Sequence, residues 1–505
     1  MSLAVVYSRA RLGIDAPLVT VETHISGGLP KLAIVGLAET AVKESKDRVR
    51  SAILNSHFEF PARRITVNLA PADLPKDGGR FDLAIALGIL AASKQIPQGE
   101  LQHCELLGEL ALSGELRPIP ASLSASLAAS GQQRKLIVPR ANAAEAALSA
   151  NTKVLAADNL LQVCAHLNGN QPLDPEPAAV TTERQQLSGL DMQDVRGQAQ
   201  AKRALEIAAA GGHNILFFGE PGTGKTMLAQ RLGDILPELS EQDAIQVAAI
   251  HSIHKPFDIA KWRQRPFRNP HHSASSTALV GGGANPKPGE ISLAHGGVLF
   301  LDELPEFPRS VLEVLREPLE NGEICISRAR AQATYPARFQ LISAMNPCPC
   351  GYFGSRQRAC RCSPEQVQRY RMRLSGPLLD RIDLHIPMQT INSDELQNAP
   401  IGDSSQLIRE RVIAAQKRQL LRQQKLNANL SNTELDEILA NKLVASAASL
   451  ELLAKAMSQL KFSARAYHRI LKLALSIADL GGAQTLEANH ISEALSYRGL
   501  DRDSQ

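Results

Sequence analysis

Short apolar runs alternate with Ala/Leu-rich helical spacing through residues 1–167. The runs at 64–69 (RITVNL) and 136–139 (LIVP) are short enough for buried strands, and 82–92 and 122–130 carry the helical pattern. This predicts a mixed α/β domain over 1–167. Pro, Gly and Asn then interrupt the pattern at 168–177 (NGNQPLDPEP), which predicts a linker over 168–188. A second alternation follows. Helical spacing at 198–210 leads into the apolar run 213–218 (HNILFF), a glycine loop, and a helix at 226–236. Further apolar runs lie at 297–301 (GVLFL) and 339–344 (FQLISA). Strands alternating with helices predict a parallel sheet covered on both faces, a second α/β domain over 189–391. From 392 to 505 the pattern is helical, at 406–424, 433–441, 450–461 and 464–478, so an all-α C-terminal domain is expected.

Composition narrows the class without fixing the function. At 505 residues about three domains are expected, and 44% hydrophobic with 21% charged residues is an ordinary globular balance. A net charge of +4 neither demands nor excludes nucleic acid. The N-terminal apolar run is too short for a signal peptide, and no later run approaches about 18 residues. A cytoplasmic protein without a membrane partner is therefore expected. Four of the seven cysteines fall within fifteen residues, which suits metal ligation in a reducing compartment better than a disulfide framework.

The chemistry concentrates where strand meets loop. Gly219-Glu220-Pro221-Gly222-Thr223-Gly224-Lys225-Thr226 fits the phosphate-binding pattern GxxxxGK[ST], directly after an apolar strand and before a helix. Glycines let successive backbone N–H groups turn toward a phosphate, and the helix N-terminus adds its positive end. Lys225 would reach the β/γ-phosphates of ATP, and Thr226 would ligate Mg²⁺. The run ending at Asp302-Glu303 supplies the acidic partners: Asp302 for the Mg²⁺ shell, Glu303 to orient or deprotonate the attacking water.

Cys348, Cys350, Cys360 and Cys362 form CxC-x9-CxC, an insert at 348–362 that can present four thiolates to one structural Zn²⁺. Such a site would fix the loop just beyond Asn346. Around it Arg356, Arg358, Arg361, Arg369, Arg371 and Arg373 face only Glu365, with Tyr352, Phe353 and Tyr370 interleaved. That mixture suits phosphate contact and base stacking. The same residues, and the basic run at 417–425, serve equally well as solvated helix faces or subunit contacts.

The phosphate loop and acidic pair together resemble an AAA+ ATPase of the magnesium-chelatase and MCM branch. The resemblance implies that Asn346 is the sensor-1 residue, that Arg381 in LLDRIDLH is an arginine finger acting on a neighbouring subunit, and that Arg465 in FSARAYHRIL is the sensor-2 arginine. Asp194-Val-Arg-Gly-Gln198 resembles the segment that packs near the adenine. A finger acting in trans implies a homo-oligomer, usually a hexameric ring. Loops at 278–293 and 326–336 fall where these families place pore hairpins, making Lys287, Arg328 and Arg330 candidate DNA contacts.

Pro75-Lys-Asp-Gly78 and Gly108-Glu-Leu-Ala-Leu-Ser-Gly114 resemble the Lon protease domain, whose Ser–Lys dyad is absent: Arg80 and Leu123 stand at its two positions. A Lon-protease-like domain, an AAA+ P-loop core, a cysteine insert and a helical lid resemble the ComM/YifB family over nearly the whole chain. That resemblance implies an ATP-dependent ring-shaped helicase acting on single-stranded or branched DNA and promoting branch migration in homologous recombination during bacterial natural transformation. A magnesium-chelatase-type motor subunit and an ATP-dependent protein-remodelling factor remain the alternatives.

Overall fold

The computed structural model describes residues 2–36, 40–178, 189–283, 286–327, 332–355, 357–391, 397–424, 445–459 and 464–499. The first domain is built on a seven-stranded mixed sheet. In spatial order its strands are Lys31–Val35, Arg64–Ala70, Leu18–Ser26, Ser2–Arg9, Cys104–Leu106, Lys135–Pro139 and Val154–Ala157. The strands Ser2–Arg9, Leu18–Ser26 and Arg64–Ala70 pair antiparallel, and the remaining pairs are parallel. Strand Leu18–Ser26 alternates strictly between buried and half-buried positions, the period of a sheet with one face inward. Helix Asp82–Ala92 is buried along its whole length, which is why its sequence is apolar on every side. The expected linker starts late: the Glu176 N–H donates to Val154 O at 2.9 Å, so this part of it pairs with the last strand.

The second domain carries a five-stranded parallel sheet in the order Phe267–Arg268, Val298–Leu301, Gln340–Met345, Ile215–Gly219, Leu384–Met388. Alternate side chains supply two cores, as a doubly covered sheet requires. Ile215, Phe217, Phe300, Ile342 and Ile386 face helices Ala199–Gly211 and Lys225–Ile235, and that core runs on into the C-terminal helix Ala464–Gly481. Leu216, Leu299, Leu301 and Leu341 face the opposite way, against Phe307 and the hairpin of Glu323–Ser327 with Gln332–Pro336. The mixed α/β architecture, parallel sheet and C-terminal helices expected from the sequence are all present. The predicted helix at 433–441 lies outside the described residues.

Helix Ala464–Gly481 is tied to the sheet by polar contacts as well. Asp383 accepts from Arg469 Nη1 at 2.9 Å and from the Asn214 N–H at 2.9 Å, and His213 Nε2 meets Ser476 Oγ at 2.7 Å. Burial alone would raise the Asp383 carboxyl, but the Arg469 charge carries it well below the usual carboxylate range.

The first domain rests directly on the second. Leu123 and Leu148 pack with Ala248 and Ala249 of helix Glu241–Ser252, flanked by Phe257 and Trp262. The Ala121 N–H donates to Ser252 O at 2.8 Å, and the Phe257 N–H donates to Glu145 Oε2 at 3.0 Å. One residue on from Ser252, Arg11 donates to Ile253 O at 3.2 Å and pairs with Asp77. A methyl on Gly13 would come within 3.3 Å of the Ala333 Cβ. Beside it the buried Tyr335 donates its hydroxyl to Pro286 O at 2.8 Å, joining the hairpin Glu323–Ser327/Gln332–Pro336 to the smaller one, Gly281–Gly282/Lys287–Pro288. No helix among the described residues is long and apolar enough to cross a membrane.

Candidate nucleotide site and cysteine cluster

Three adjacent parallel strands end at the same edge of the sheet, the place where open α/β sheets bind ligands. Strand Ile215–Gly219 runs into the phosphate loop, whose Gly222 and Gly224 adopt φ of 81° and 88°, and helix Lys225–Ile235 begins at once. Those left-handed positions turn the loop back on itself, a conformation a side chain would oppose. Lys225 is folded into the loop. Its Nζ donates to Gly219 O at 2.7 Å, Glu220 O at 2.8 Å and Asn346 Oδ1 at 3.2 Å. Burial lowers the Lys225 ammonium below its ordinary value, opposed by Asp302, Glu220 and Glu303. Its present acceptors are neutral oxygens that a phosphate, a stronger partner, would displace.

Strand Val298–Leu301 delivers the acids. Thr226 Oγ1 donates to Asp302 Oδ2 at 2.7 Å, so the two groups expected to share a Mg²⁺ shell already touch. Hydroxyl, carboxylate and room for water and phosphate oxygens are the donor set this hard cation takes. Glu303 has φ 53°, a rare backbone state for a residue with a side chain, and points its carboxylate at His272 Nδ1, 3.2 Å away. His272 also stacks on His271, with ring centroids 4.1 Å apart. The sequence carried no local sign of the Glu303–His272 contact, because the histidines lie in a loop remote from Asp302 along the chain.

The structure thus brings together Lys225, Thr226, Asp302, Glu303 and Asn346. It puts the two arginines elsewhere. Arg381 is 4% exposed and bound inside its own chain, to Pro377 O and Glu320, so reaching a neighbouring subunit would require release from that carboxylate. Arg465 is exposed in the first turn of helix Ala464–Gly481. Lys287 is exposed on its hairpin, and Arg328 and Arg330 lie outside the described residues. In the first domain Arg80 is buried, its guanidinium lowered to about 10 by desolvation, and Leu123 is a seam residue.

The four cysteines of the insert converge, all Sγ atoms lying within 4.8 Å of one another. Cys348 to Cys350 is 3.4 Å, Cys348 to Cys360 is 3.7 Å and Cys350 to Cys360 is 3.6 Å. Tetrahedral Zn²⁺ with bonds of about 2.3 Å holds its sulfurs about 3.8 Å apart, so the quartet fits that ion. Backbone N–H groups of Arg361 and Tyr352 bring the Cys350 thiol down to about 6, while desolvation and the neighbouring sulfurs push the Cys360 and Cys362 thiols up. The loop touches the nucleotide site: a Cβ on Gly351 would lie 2.7 Å from Pro221 Cγ. Arginines and aromatics surround it, Arg358 and Phe353 exposed and Tyr352 and Arg371 half-buried, with Arg358 5.3 Å from the Tyr352 ring centroid and Arg371 5.3 Å from that of Phe353.

Comparison with known proteins places all three parts of the chain. Residues 191–396 match the family profile described as magnesium chelatase, subunit ChlI; residues 21–142 match that of subunit ChlI of Mg-chelatase; residues 402–498 match its C-terminal profile. The YifB protein of Salmonella typhimurium is 52% identical over 508 residues, covering 99% of this chain and 98% of that protein. The competence protein ComM of Haemophilus influenzae is also 52% identical, over 509 residues, with the same coverage. The magnesium-chelatase 38 kDa subunit of Cereibacter sphaeroides is 26% identical over 173 residues, covering 30% of this chain and 51% of that protein.

Proposed function

Since the chain belongs to the magnesium-chelatase-like family of the YifB and ComM proteins, we propose that it is an AAA+ ATPase working as a ring-shaped DNA motor, a helicase that promotes branch migration when incoming DNA recombines during natural transformation. The observation that carries the ATPase half is the contact of Thr226 with Asp302 beside the Lys225–Asn346 contact. In this reading ATP seats its phosphates in the loop Gly219–Thr226, and Lys225 exchanges backbone carbonyls for phosphate oxygens. Thr226 and Asp302 hold the Mg²⁺ shell, and the bound ion would neutralise charge building on the phosphoryl oxygens. Glu303 must leave His272 before it can take a proton from water, and Asn346 orients that water. Arg381 and Arg465 complete the site between subunits of a homo-oligomer, a hexamer by resemblance, which works in the cytoplasm.

The DNA half draws support from the identity to a protein named for competence and from the Arg/aromatic surface around the cysteines. Lys287, Arg328 and Arg330 are the proposed pore contacts, and Cys348, Cys350, Cys360 and Cys362 hold a structural Zn²⁺. The first domain is proposed to be a Lon-like fold without peptidase chemistry. A magnesium-chelatase motor is the second reading, favoured by the matching profiles.

The test is ATP hydrolysis with and without single-stranded and branched DNA, for the native chain and for Lys225→Ala and Glu303→Gln. DNA should stimulate the native rate several-fold. Lys225→Ala should lose nucleotide binding, and Glu303→Gln should bind ATP while turning over at least about 100-fold slower. Hydrolysis indifferent to every DNA form, with stimulation by a porphyrin, would transfer the assignment to the second reading.

A further inference from the structure

The segment from Asn346 to Gly351 contacts the phosphate-binding loop at both of its ends. At one end Asn346 Oδ1 accepts from Lys225 at 3.2 Å. At the other Gly351, buried at φ 86°, lies so close to Pro221 that an added Cβ would sit 2.7 Å from one ring carbon and 2.8 Å from the next. Between these contacts stand Cys348 and Cys350, and the Gly351 N–H closes the turn onto Cys348 O at 3.0 Å. The chain then leaves the core, returns through Cys360 and Cys362, and enters helix Pro364–Arg371 behind a capping box at Ser363.

The loop is therefore drawn together by the cysteine quartet, with Cys348, Cys350 and Cys360 sulfurs 3.4 to 3.7 Å apart. Without a cross-link among the four sulfurs this closure rests on weak thiol contacts. A tetrahedral metal would replace them with four bonds of fixed length. From this geometry we propose that the metal held by Cys348, Cys350, Cys360 and Cys362 is a positioning element for ATP. It sets Gly351 against Pro221 and Asn346 against Lys225, so that the phosphate-binding loop is held open in its binding shape. The inference rests on the zinc reading above and adds a coupling between two sites that share no ligand.

Coupling between binding sites is reciprocal. If the metal tightens nucleotide binding, nucleotide must tighten metal binding by the same factor. Factors of about 5 to 150 are usual for such linkage. Gly351→Ala separates the two: it keeps all four cysteines while pushing a methyl into Pro221.

The experiment begins with metal analysis of the purified full-length chain and with Co²⁺ exchange, whose thiolate charge-transfer band reports a sulfur site directly. About one metal per chain is expected. Nucleotide affinity is then measured by a fluorescent ATP analogue on the metal-loaded, metal-stripped and Gly351→Ala proteins, with far-UV circular dichroism to confirm that each is folded. Stripping and Gly351→Ala should each weaken binding ~5-fold or more, the variant while retaining its metal. On the native chain, a non-hydrolysable ATP analogue should raise the chelator concentration needed to remove half of the metal at equilibrium by a comparable factor. This last measurement needs no variant, so a Gly351→Ala protein that fails to fold does not end the test. Absence of metal and of any Co²⁺–thiolate band would overturn the zinc reading and this inference with it. A stoichiometric metal whose removal leaves nucleotide affinity unchanged, and whose release ignores nucleotide, would overturn the coupling alone.

Discussion

His295 shows how far a single ring can be committed by its surroundings. Its Nδ1 accepts the Arg338 backbone N–H at 3.1 Å, which leaves Nε2 as the protonated nitrogen facing Gln246 Oε1 at 3.1 Å. Burial lowers the imidazole to about 4, with Asp243 acting in the opposite direction. A proton on Nδ1 would expel the Arg338 N–H from a buried position. Between pH ~6.5 and about 4 the unfolded chain binds a proton here that the folded chain refuses, so this residue makes stability fall as pH falls across that window, by about 1.4 kcal/mol per pH unit. Urea unfolding of the native chain and of His295→Gln between pH 7.5 and 5 should show a shallower loss for the variant. Equal slopes would mean that the ring is not held neutral. At this scale the sequence announces a residue when its role is written into a local motif. Lys225, Thr226 and Asp302 were legible because strand, turn and helix fix their directions. His272 was not, since it meets Glu303 only after two separate strands pair into one sheet.

Three of the five strands of the second sheet were legible as apolar runs. The strands at 213–218, 297–301 and 339–344 were read within a residue or two of their observed bounds Ile215–Gly219, Val298–Leu301 and Gln340–Met345. The strands Ser2–Arg9 and Leu18–Ser26 were passed over, because half of their positions are polar and their partners come from elsewhere in the first domain. Helix Glu241–Ser252 was missed for a related reason: its buried Ala244, Ala248 and Ala249 carry little hydropathy, and what covers them includes another domain. Between elements, Asp383 is a buried fastener. It sits at the root of strand Leu384–Met388 and receives Arg469 from helix Ala464–Gly481. Asp383→Asn keeps the shape but strands a guanidinium that is only a quarter exposed. A loss of about 3 kcal/mol is expected in urea unfolding, with the earliest rise in hydrogen exchange along Ala464–Gly481. A loss below about 1 kcal/mol would class the contact with ordinary surface pairs.

Taken as a whole molecule, the two α/β domains share a seam of apolar contacts crossed by hydrogen bonds. Leu123, the position where a Lon-type lysine was sought, is fully buried there against Ala248 and Ala249. Leu123→Ala should cost about 2–5 kcal/mol and split unfolding into two transitions, one for each domain. A single transition with an unchanged midpoint would mean that the seam carries no coupling. The contact at Gly13 has a different consequence. Gly13 sits beneath Ala333, and Tyr335 fastens one hairpin to the other through Pro286. The first domain is in effect a shim under one lever, whose root holds the turn of a second. Whatever those levers grip, the turn of the smaller cannot move without the root of the larger, which bears on Gly13 in the turn at 12–15.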